Sequence, residues 1–478
     1  MKKTIFITTL GCKVNQYDSG ALLDSFMKNG FTPFDGSNAC EPDESPGIIS
    51  DGSGPDVVVV NTCIVTAESE RKSRQAIRRM RARFPNAALV VAGCYPSKFP
   101  EKAAEIEGVD FIAGVTEYEG LADKLAWVCE QKRNASAGRS RRETESNGIP
   151  CDSGADSLNY DNGAARDRYS LNSARTRAYI KIQDGCDNYC SYCIVPYARG
   201  GARSRNWQDI LNETGAAAAA RAPEIVLTGT HISSYSHITP KGNESLGELI
   251  KTVAGFLGRR ENPVRLRLSS IEPTIVTPAF VELLSESRGA LCPHFHLSLQ
   301  SGCENTLRRM NRRYAPADYR RAVELLRGAF PEAGFTTDVI VGFPGESEAD
   351  FIESYGFCRE IAFSKIHVFP YSIRPGTRAA QLDSQVDARS KRDRAKRLIA
   401  LSDELSFKFH AGYVGKIVRI LIENQYSEIV EGLTGNYIRV RARYGATRFD
   451  ENMNSVKGLF ADVRVTEVAP HYAFGAII

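Results

Sequence analysis

Long apolar runs are missing from this 478-residue chain. Nothing approaches the ~18 to 20 apolar residues of a membrane-spanning helix, so no membrane association is expected. The opening "MKKTIFITTLGC" sets two lysines before an apolar stretch. Thr8 and Thr9 interrupt Ile5 to Leu10 short of the ~7 to 15 residues of a signal-peptide core, which favours a cytoplasmic protein. A strong charge of one sign is also lacking: 61 Lys and Arg against 57 Asp and Glu leave a net +4, which permits a nucleic-acid partner without demanding one. Cysteine is sparse, with twelve in the whole chain, too dilute for a secreted disulfide scaffold. Metal or redox chemistry in a reducing cytosol is the expected use of those thiols. Finally, "GFPGE" lacks the Gly-Lys-Ser/Thr of a phosphate loop and reads as a turn shaping a pocket.

What is present is a soluble, globular composition, 42% hydrophobic and 25% charged, on a chain long enough for two or three domains. Residues 1–130 alternate strand and helix signals, with a strand at Thr4 to Thr9 and a helix from about Asn15 to Asn29. "PDVVVVNTC" and "ALVVAGC" are fully apolar strands of the kind parallel sheets bury. The Gly/Ser/Asp-rich stretch 36–54 reads as a surface loop, and 131–172 as a linker that loses apolar periodicity. Residues 173–409 then carry six strand-like runs separated by helical segments: "AYIKIQD", "EIVLTG", "RLRLSS", "HFHLSL", "TTDVIVGF" and "KIHVFPY". The expected fold class is therefore α/β, an N-terminal parallel α/β sandwich followed by a partial (β/α)6 barrel. A basic helix around Asp387 to Phe409 closes that barrel, and 410–478 reads as a small all-β barrel.

The chemistry concentrates in "GCDNYCSYCIVPYARG". Cys186, Cys190 and Cys193 fall inside eight residues, and no further Cys or His follows until His231. Structural zinc normally takes four protein ligands. Three thiolates suit a 4Fe-4S cluster whose fourth iron stays open. Cys12, Cys63 and Cys94 lie far apart but each follows a strand, and neighbouring strand ends of a parallel sheet share one edge. They converge on a second cluster, or they are small buried hydrophobes. Cys129 reads as core, Cys40 and Cys151 as loop residues, and Cys292, Cys303 and Cys358 show no pattern.

The spacing C-x3-C-x2-C, with Tyr192 before the last cysteine, resembles the signature of the radical S-adenosylmethionine enzymes. "TLGCKVNQYDS", "NTCIVT" and "AGCYP" resemble the N-terminal motifs of the methylthiotransferases within that superfamily. The similarity continues through "YCIVPYARG", "LTGTHI", "RLSSIEP", "HLSLQSGCENTLRRMNRRY", "DVIVGFPGE" and "VFPYSIRPGTRAA" to "GLTGNYIRV", which resembles the RNA-binding TRAM domain. The resemblance implies two 4Fe-4S clusters, one on Cys186, Cys190 and Cys193 and an auxiliary one on Cys12, Cys63 and Cys94. It implies S-adenosylmethionine used twice, once to methylate a sulfur and once as the source of a 5′-deoxyadenosyl radical that takes hydrogen from C2 of an adenine. Gly229 and Thr230, Ser270 and Glu272, Gln300 and Asp338 stand at barrel-strand ends, where such folds build sites. They are the expected cofactor contacts.

Within the family, "GCKVNQYDS" and "IKIQDGCDNYCSYCIVPYARG" most resemble the branch acting on N6-threonylcarbamoyladenosine at tRNA position 37. The other branches act on isopentenyladenosine in tRNA or on a ribosomal-protein aspartate. The expected partners are a tRNA anticodon stem-loop and an electron donor such as a flavodoxin or ferredoxin, with the enzyme itself a monomer. In "YIRVRARYGATR", Arg439, Arg441 and Arg443 recur with period two, which puts three guanidinium groups on one strand face. Such a face grips phosphates or is simply solvated. The same alternative holds for Arg71, Arg74, Arg78 and Arg81, which share one helix face.

Overall fold

The computed structural model describes residues 3–34, 54–136, 176–239, 242–260, 264–444 and 455–478. The loop 36–53 and the stretch 137–172 of the expected linker, with Cys40 and Cys151, lie outside the described residues. The linker's first residues are helical, because the helix Leu121–Ser136 continues past position 131.

Two compact units emerge. The first comprises the N-terminal residues together with Ile194–Gly201. It is built on strands β1 (Lys3–Thr9), β2 (Phe31–Pro33), β3 (Val57–Thr62), β4 (Ala88–Gly93) and β5 (Phe111–Ala113). All pair in parallel, in the order β2-β1-β3-β4-β5. The central β3 and β4 are buried at every position, which is why their sequences run apolar without alternation. The crossovers include the helices Lys13–Lys28 and Ala67–Arg83; the latter is opened by a Thr66/Ser69 capping box.

The second unit holds β6 (Arg177–Asp184), β7 (Arg203–Ser204), β8 (Glu224–Gly229), the hairpin β9 (Ser236–Thr239) and β10 (Gly242–Ser245), β11 (Arg265–Leu268), β12 (His294–His296), β13 (Gly334–Val341) and β14 (Lys365–Pro370). Six of these, β6, β8, β11, β12, β13 and β14, run parallel in chain order, as the six apolar runs predict. The bridges Leu266↔Leu291 and Ile271↔Leu297 join the two halves of the curved sheet. Along β13, Thr337, Val339 and Val341 face buried surroundings while Asp338 and Ile340 stay half-exposed, so the helices cover one face only. β7 pairs antiparallel at the edge; this short strand and the β9–β10 hairpin carry no apolar signal in the sequence.

After the helix Ala388–Ala411, the chain forms a closed barrel of β15 (Ile417–Tyr426), β16 (Ile429–Thr434), β17 (Arg439–Arg443), β18 (Phe460–Val468) and β19 (Ala473–Ile477). This small barrel meets the amino ends of the six parallel strands through buried charge. Glu224 at the start of β8 takes Arg267 through both oxygens at 2.7 and 3.1 Å and Arg177 at 2.8 Å. Arg267 also donates to the carbonyls of Gly435 and Thr434, and Arg265 to those of Leu433 and Arg419. Arg177 reaches Glu423 at 2.5 Å, and His294 stacks on Tyr437 with ring centres 4.3 Å apart. Burial works against the Glu224 charge, but the guanidinium groups win and hold its carboxyl down to about 2. With the amino ends occupied, the carboxyl ends of the strands remain for chemistry.

Candidate active site

The loop that follows β6 holds Cys186, Cys190 and Cys193 at those carboxyl ends. Its path requires left-handed backbone at Gly185 (φ 70°) and Tyr189 (φ 45°). Hydrogen bonds fasten it from two sides: Ser191 N–H donates to Met310 O, the Ser191 hydroxyl to Arg309 O, and Ala379 N–H to Ser191 O. Asn311 donates its amide to Tyr189 O at 3.1 Å. Motifs distant in sequence, "RRMNRRY" and "RPGTRAA", thus act as the cradle of the cysteine loop.

A polar network lies against the thiols. Arg312 donates to Cys190 Sγ at 3.2 Å and pairs with Glu272 at 2.9 Å. Glu272 also accepts from Asn188 at 3.0 Å and lies 3.3 Å from His231. Burial opposes the Glu272 charge, yet His231 and Arg312 keep its carboxyl below the usual carboxylate range. Burial pushes the Cys186 thiol up; a bound metal ion reverses this by binding the thiolate.

Thr230 donates to Asp184 at 3.0 Å, and a Cβ on Gly229 would come within 2.7 Å of Gln183 O, so only glycine fits there. Ser270 is exposed beside Glu272. Gln300 adopts φ 66° and bridges the backbone of β13 through Asp338 O and Ile340 N. Asp338 is grouped with His296 and His367, their ligating atoms within 4.8 Å of one another. His296 Nδ1 meets Thr336 Oγ1 at 2.9 Å and its Nε2 lies 3.4 Å from Asp338. Arg312, Asn188, His231, His296 and His367 are the site residues that sequence reasoning missed; "NRRY" was the available signal for Arg312.

In the first unit the adjacent ends of β1, β3 and β4 bring Cys12, Cys63 and Cys94 together. Gly11 makes this possible: at φ 103°, its missing Cβ would lie 2.7 Å from Cys63 Cβ and 3.0 Å from Cys63 Sγ. Cys63 and Cys94 are buried and Cys12 is exposed. Burial pushes the Cys94 thiol up to about 12 and also raises Cys63. Three thiols on one sheet edge, backed by the buried Arg199, form a donor set that fits an iron-sulfur group.

The expected phosphate face reads differently in detail. Val440 and Ala442 point inward and Arg441 and Arg443 outward, as the period of two predicts. Glu431, however, pairs with both Arg439 (2.6 Å) and Arg441 (2.9 Å). On the N-terminal helix, Arg71 pairs with Glu68, Arg74 with Glu70 and Arg81 with Asp110.

Residues 180–358 match the family model of the radical SAM superfamily, and residues 43–114 that of the uncharacterized protein family UPF0004. The threonylcarbamoyladenosine tRNA methylthiotransferase of Bacillus subtilis is 35% identical over 445 residues, spanning 91% of this chain and 90% of that one. The chain belongs to the radical S-adenosylmethionine tRNA methylthiotransferases. A second similar member of these methylthiotransferases, the tRNA-2-methylthio-N(6)-dimethylallyladenosine synthase of Geobacter metallireducens, is 30% identical and spans 100% of this chain and 98% of its own. The radical S-adenosylmethionine methyltransferase TsrM of Kitasatospora setae, solved with cobalamin and a 4Fe-4S cluster, shares the fold at a TM-score of 0.52 and 17% identity, covering 80% of this chain and 77% of that one. Membership in the radical SAM methylthiotransferases brings S-adenosylmethionine and a 4Fe-4S cluster as cofactors. No helix among the described residues is long and apolar enough to cross a membrane.

Proposed function

We propose that this methylthiotransferase places a methylthio group on C2 of N6-threonylcarbamoyladenosine at position 37 of tRNA. The observation that carries the reading is the pair of three-cysteine sets, each gathered at the carboxyl edge of its own parallel sheet. Cys186, Cys190 and Cys193 would hold the radical-generating cluster, and Cys12, Cys63 and Cys94 an auxiliary 4Fe-4S cluster. When bound, the first supplies the electron that cleaves S-adenosylmethionine, and the second holds the sulfur to be transferred.

Around them the chain's own residues bind and orient. Gly229, Thr230 and Ser270 offer backbone and hydroxyl groups to the methionine end of S-adenosylmethionine. Gln300 and Asp338 offer polar groups further round the sheet. Glu272 acts by fixing Arg312 against Cys190 and by holding Asn188 within the cysteine loop. Arg439, Arg441 and Arg443 of the small barrel meet tRNA phosphates in the anticodon stem-loop, Arg439 and Arg441 by exchanging Glu431 for phosphate. We assign residues 1–130 to the auxiliary-cluster domain, 131–172 to a linker, 173–409 to the radical domain and 410–478 to the RNA-binding domain. The protein acts in the cytoplasm as a monomer served by a flavodoxin or ferredoxin.

One feature favours threonylcarbamoyladenosine over isopentenyladenosine. His296, Asp338 and His367 share the face of β12–β14 that the helices leave uncovered, with Asp338 paired to His367 across the strands. A threonylcarbamoyl substituent carries a carboxylate, a hydroxyl and urea N–H groups, which two imidazoles and a carboxylate can match. An isopentenyl group is hydrocarbon and offers those groups no hydrogen bond. Mass spectrometry of tRNA nucleosides from cells with and without the gene tests the assignment. Loss of the 2-methylthio form with accumulation of threonylcarbamoyladenosine is expected. An unchanged tRNA profile would redirect the reading to a ribosomal-protein aspartate.

A further inference from the structure

Arg199 lies six positions after Cys193 in sequence, on the short helix Val195–Arg199 that belongs to the N-terminal unit. Its side chain is 3% exposed and paired with an equally buried Asp18 at 3.0 Å. The same guanidinium nitrogen donates to Asn15 Oδ1 at 2.6 Å. Asn15 organises the thiol edge. Its amide nitrogen donates to Leu10 O (3.0 Å) and Thr62 O (2.8 Å), which lie just ahead of Cys12 and Cys63, and its oxygen accepts from Cys94 Sγ at 3.8 Å.

We propose that Arg199 is the positioning cation of the N-terminal thiol site, its charge setting the reduction potential of the group bound by Cys12, Cys63 and Cys94. This rests on the reading of that triad as an auxiliary cluster. A cluster held by three thiolates is anionic and gains a further negative charge on reduction, and placing such a charge against the buried Cys63 and Cys94 is favoured by a counter-charge close by. Net charge and hydrogen bonds to sulfur are the levers by which a protein tunes such potentials. Asp18 is the balancing element, because it moderates the field that Arg199 exerts. The two side chains therefore act on the cluster with opposite sign.

The test isolates one cluster. The full chain carrying Cys186→Ala, Cys190→Ala and Cys193→Ala is reconstituted anaerobically with iron and sulfide, its iron is counted, and its potential is titrated by electron paramagnetic resonance. On this background Arg199→Gln should lower the potential, Asp18→Asn should raise it, and Arg199→Lys should stay near the parent. If Arg199→Gln fails to retain iron, Asp18→Asn decides alone. Unchanged potentials, or shifts of the same sign in Arg199→Gln and Asp18→Asn, overturn the proposal. A parent that binds no iron overturns the auxiliary-cluster reading instead, so the two failures are distinguishable.

Discussion

Replacing Glu224 by Gln takes a negative charge from a position with no solvent contact and leaves the neighbouring Arg177 and Arg267 without their shared partner. The carboxyl is held down to about 2 against an ordinary 4.5. At roughly 1.4 kcal/mol per unit this is about 3 kcal/mol of stability at neutral pH. It agrees with the about 3–5 kcal/mol lost when one partner of a buried ion pair is removed. The sign follows from the depressed value. The contribution is complete above about 4.5 and is lost as pH falls through about 2. Trp207 packs on the core of the barrel unit and reports its unfolding by fluorescence. With a urea slope of about 3 kcal/mol per molar, the midpoint of the metal-free Glu224→Gln protein should fall by about 1 M at pH 7. The gap between wild type and variant should narrow on acidification below about 4.5. A variant that unfolds at the wild-type midpoint at pH 7 would refute the reasoning, and so would a gap that does not change with pH.

Cys190→Ala and Cys63→Ala should each retain about half of the reconstituted iron, counted colorimetrically, and only Cys190→Ala should abolish reductive cleavage of S-adenosylmethionine, followed by chromatography of 5′-deoxyadenosine. His367→Leu should raise KM for tRNA bearing threonylcarbamoyladenosine by about tenfold or more, the worth of one hydrogen bond to a charged group, without stopping S-adenosylmethionine cleavage; an unchanged KM counts against the polar-substituent argument. Arg443→Ala should weaken tRNA binding and flatten its logarithmic salt dependence by about 0.7 to 0.9, the signature of one lost phosphate contact, in a filter-binding titration at several salt concentrations. An unaltered slope would leave Arg443 as a solvated surface residue.

The readable parts of the site were local ones. "VVVVNTC" and "VVAGC" announce buried strands and place a cysteine at each end, so the convergence of Cys12, Cys63 and Cys94 follows once the sheet is parallel. The C-x3-C-x2-C triad and the Arg439 to Arg443 alternation are equally compact signals. Residues that act through tertiary contacts gave no such sign. Arg199 and Asp18 are 181 positions apart, and Arg312 reaches Cys190 across 122. Arg265 and Arg267 in "RLRLSS" read as ordinary strand residues, and the docked small barrel explains a half-buried and a fully buried arginine there. Glu431, which engages Arg439 and Arg441, lies on the neighbouring strand and was likewise invisible in an alternation counted along one strand.

The chain makes one detour whose consequence concerns inheritance rather than chemistry. Directly after Cys193 it leaves the barrel unit, lends Ile194–Gly201 to the N-terminal unit, where Ile194 and Ala198 join the apolar core, and returns at Ala202. Recombination at the linker would therefore separate a domain from a piece of its own interior. A newly acquired barrel would bring the wrong eight residues, and an N-terminal domain passed on alone would carry a hole. The interior of the N-terminal unit is thus tied to the barrel by the path of the backbone itself.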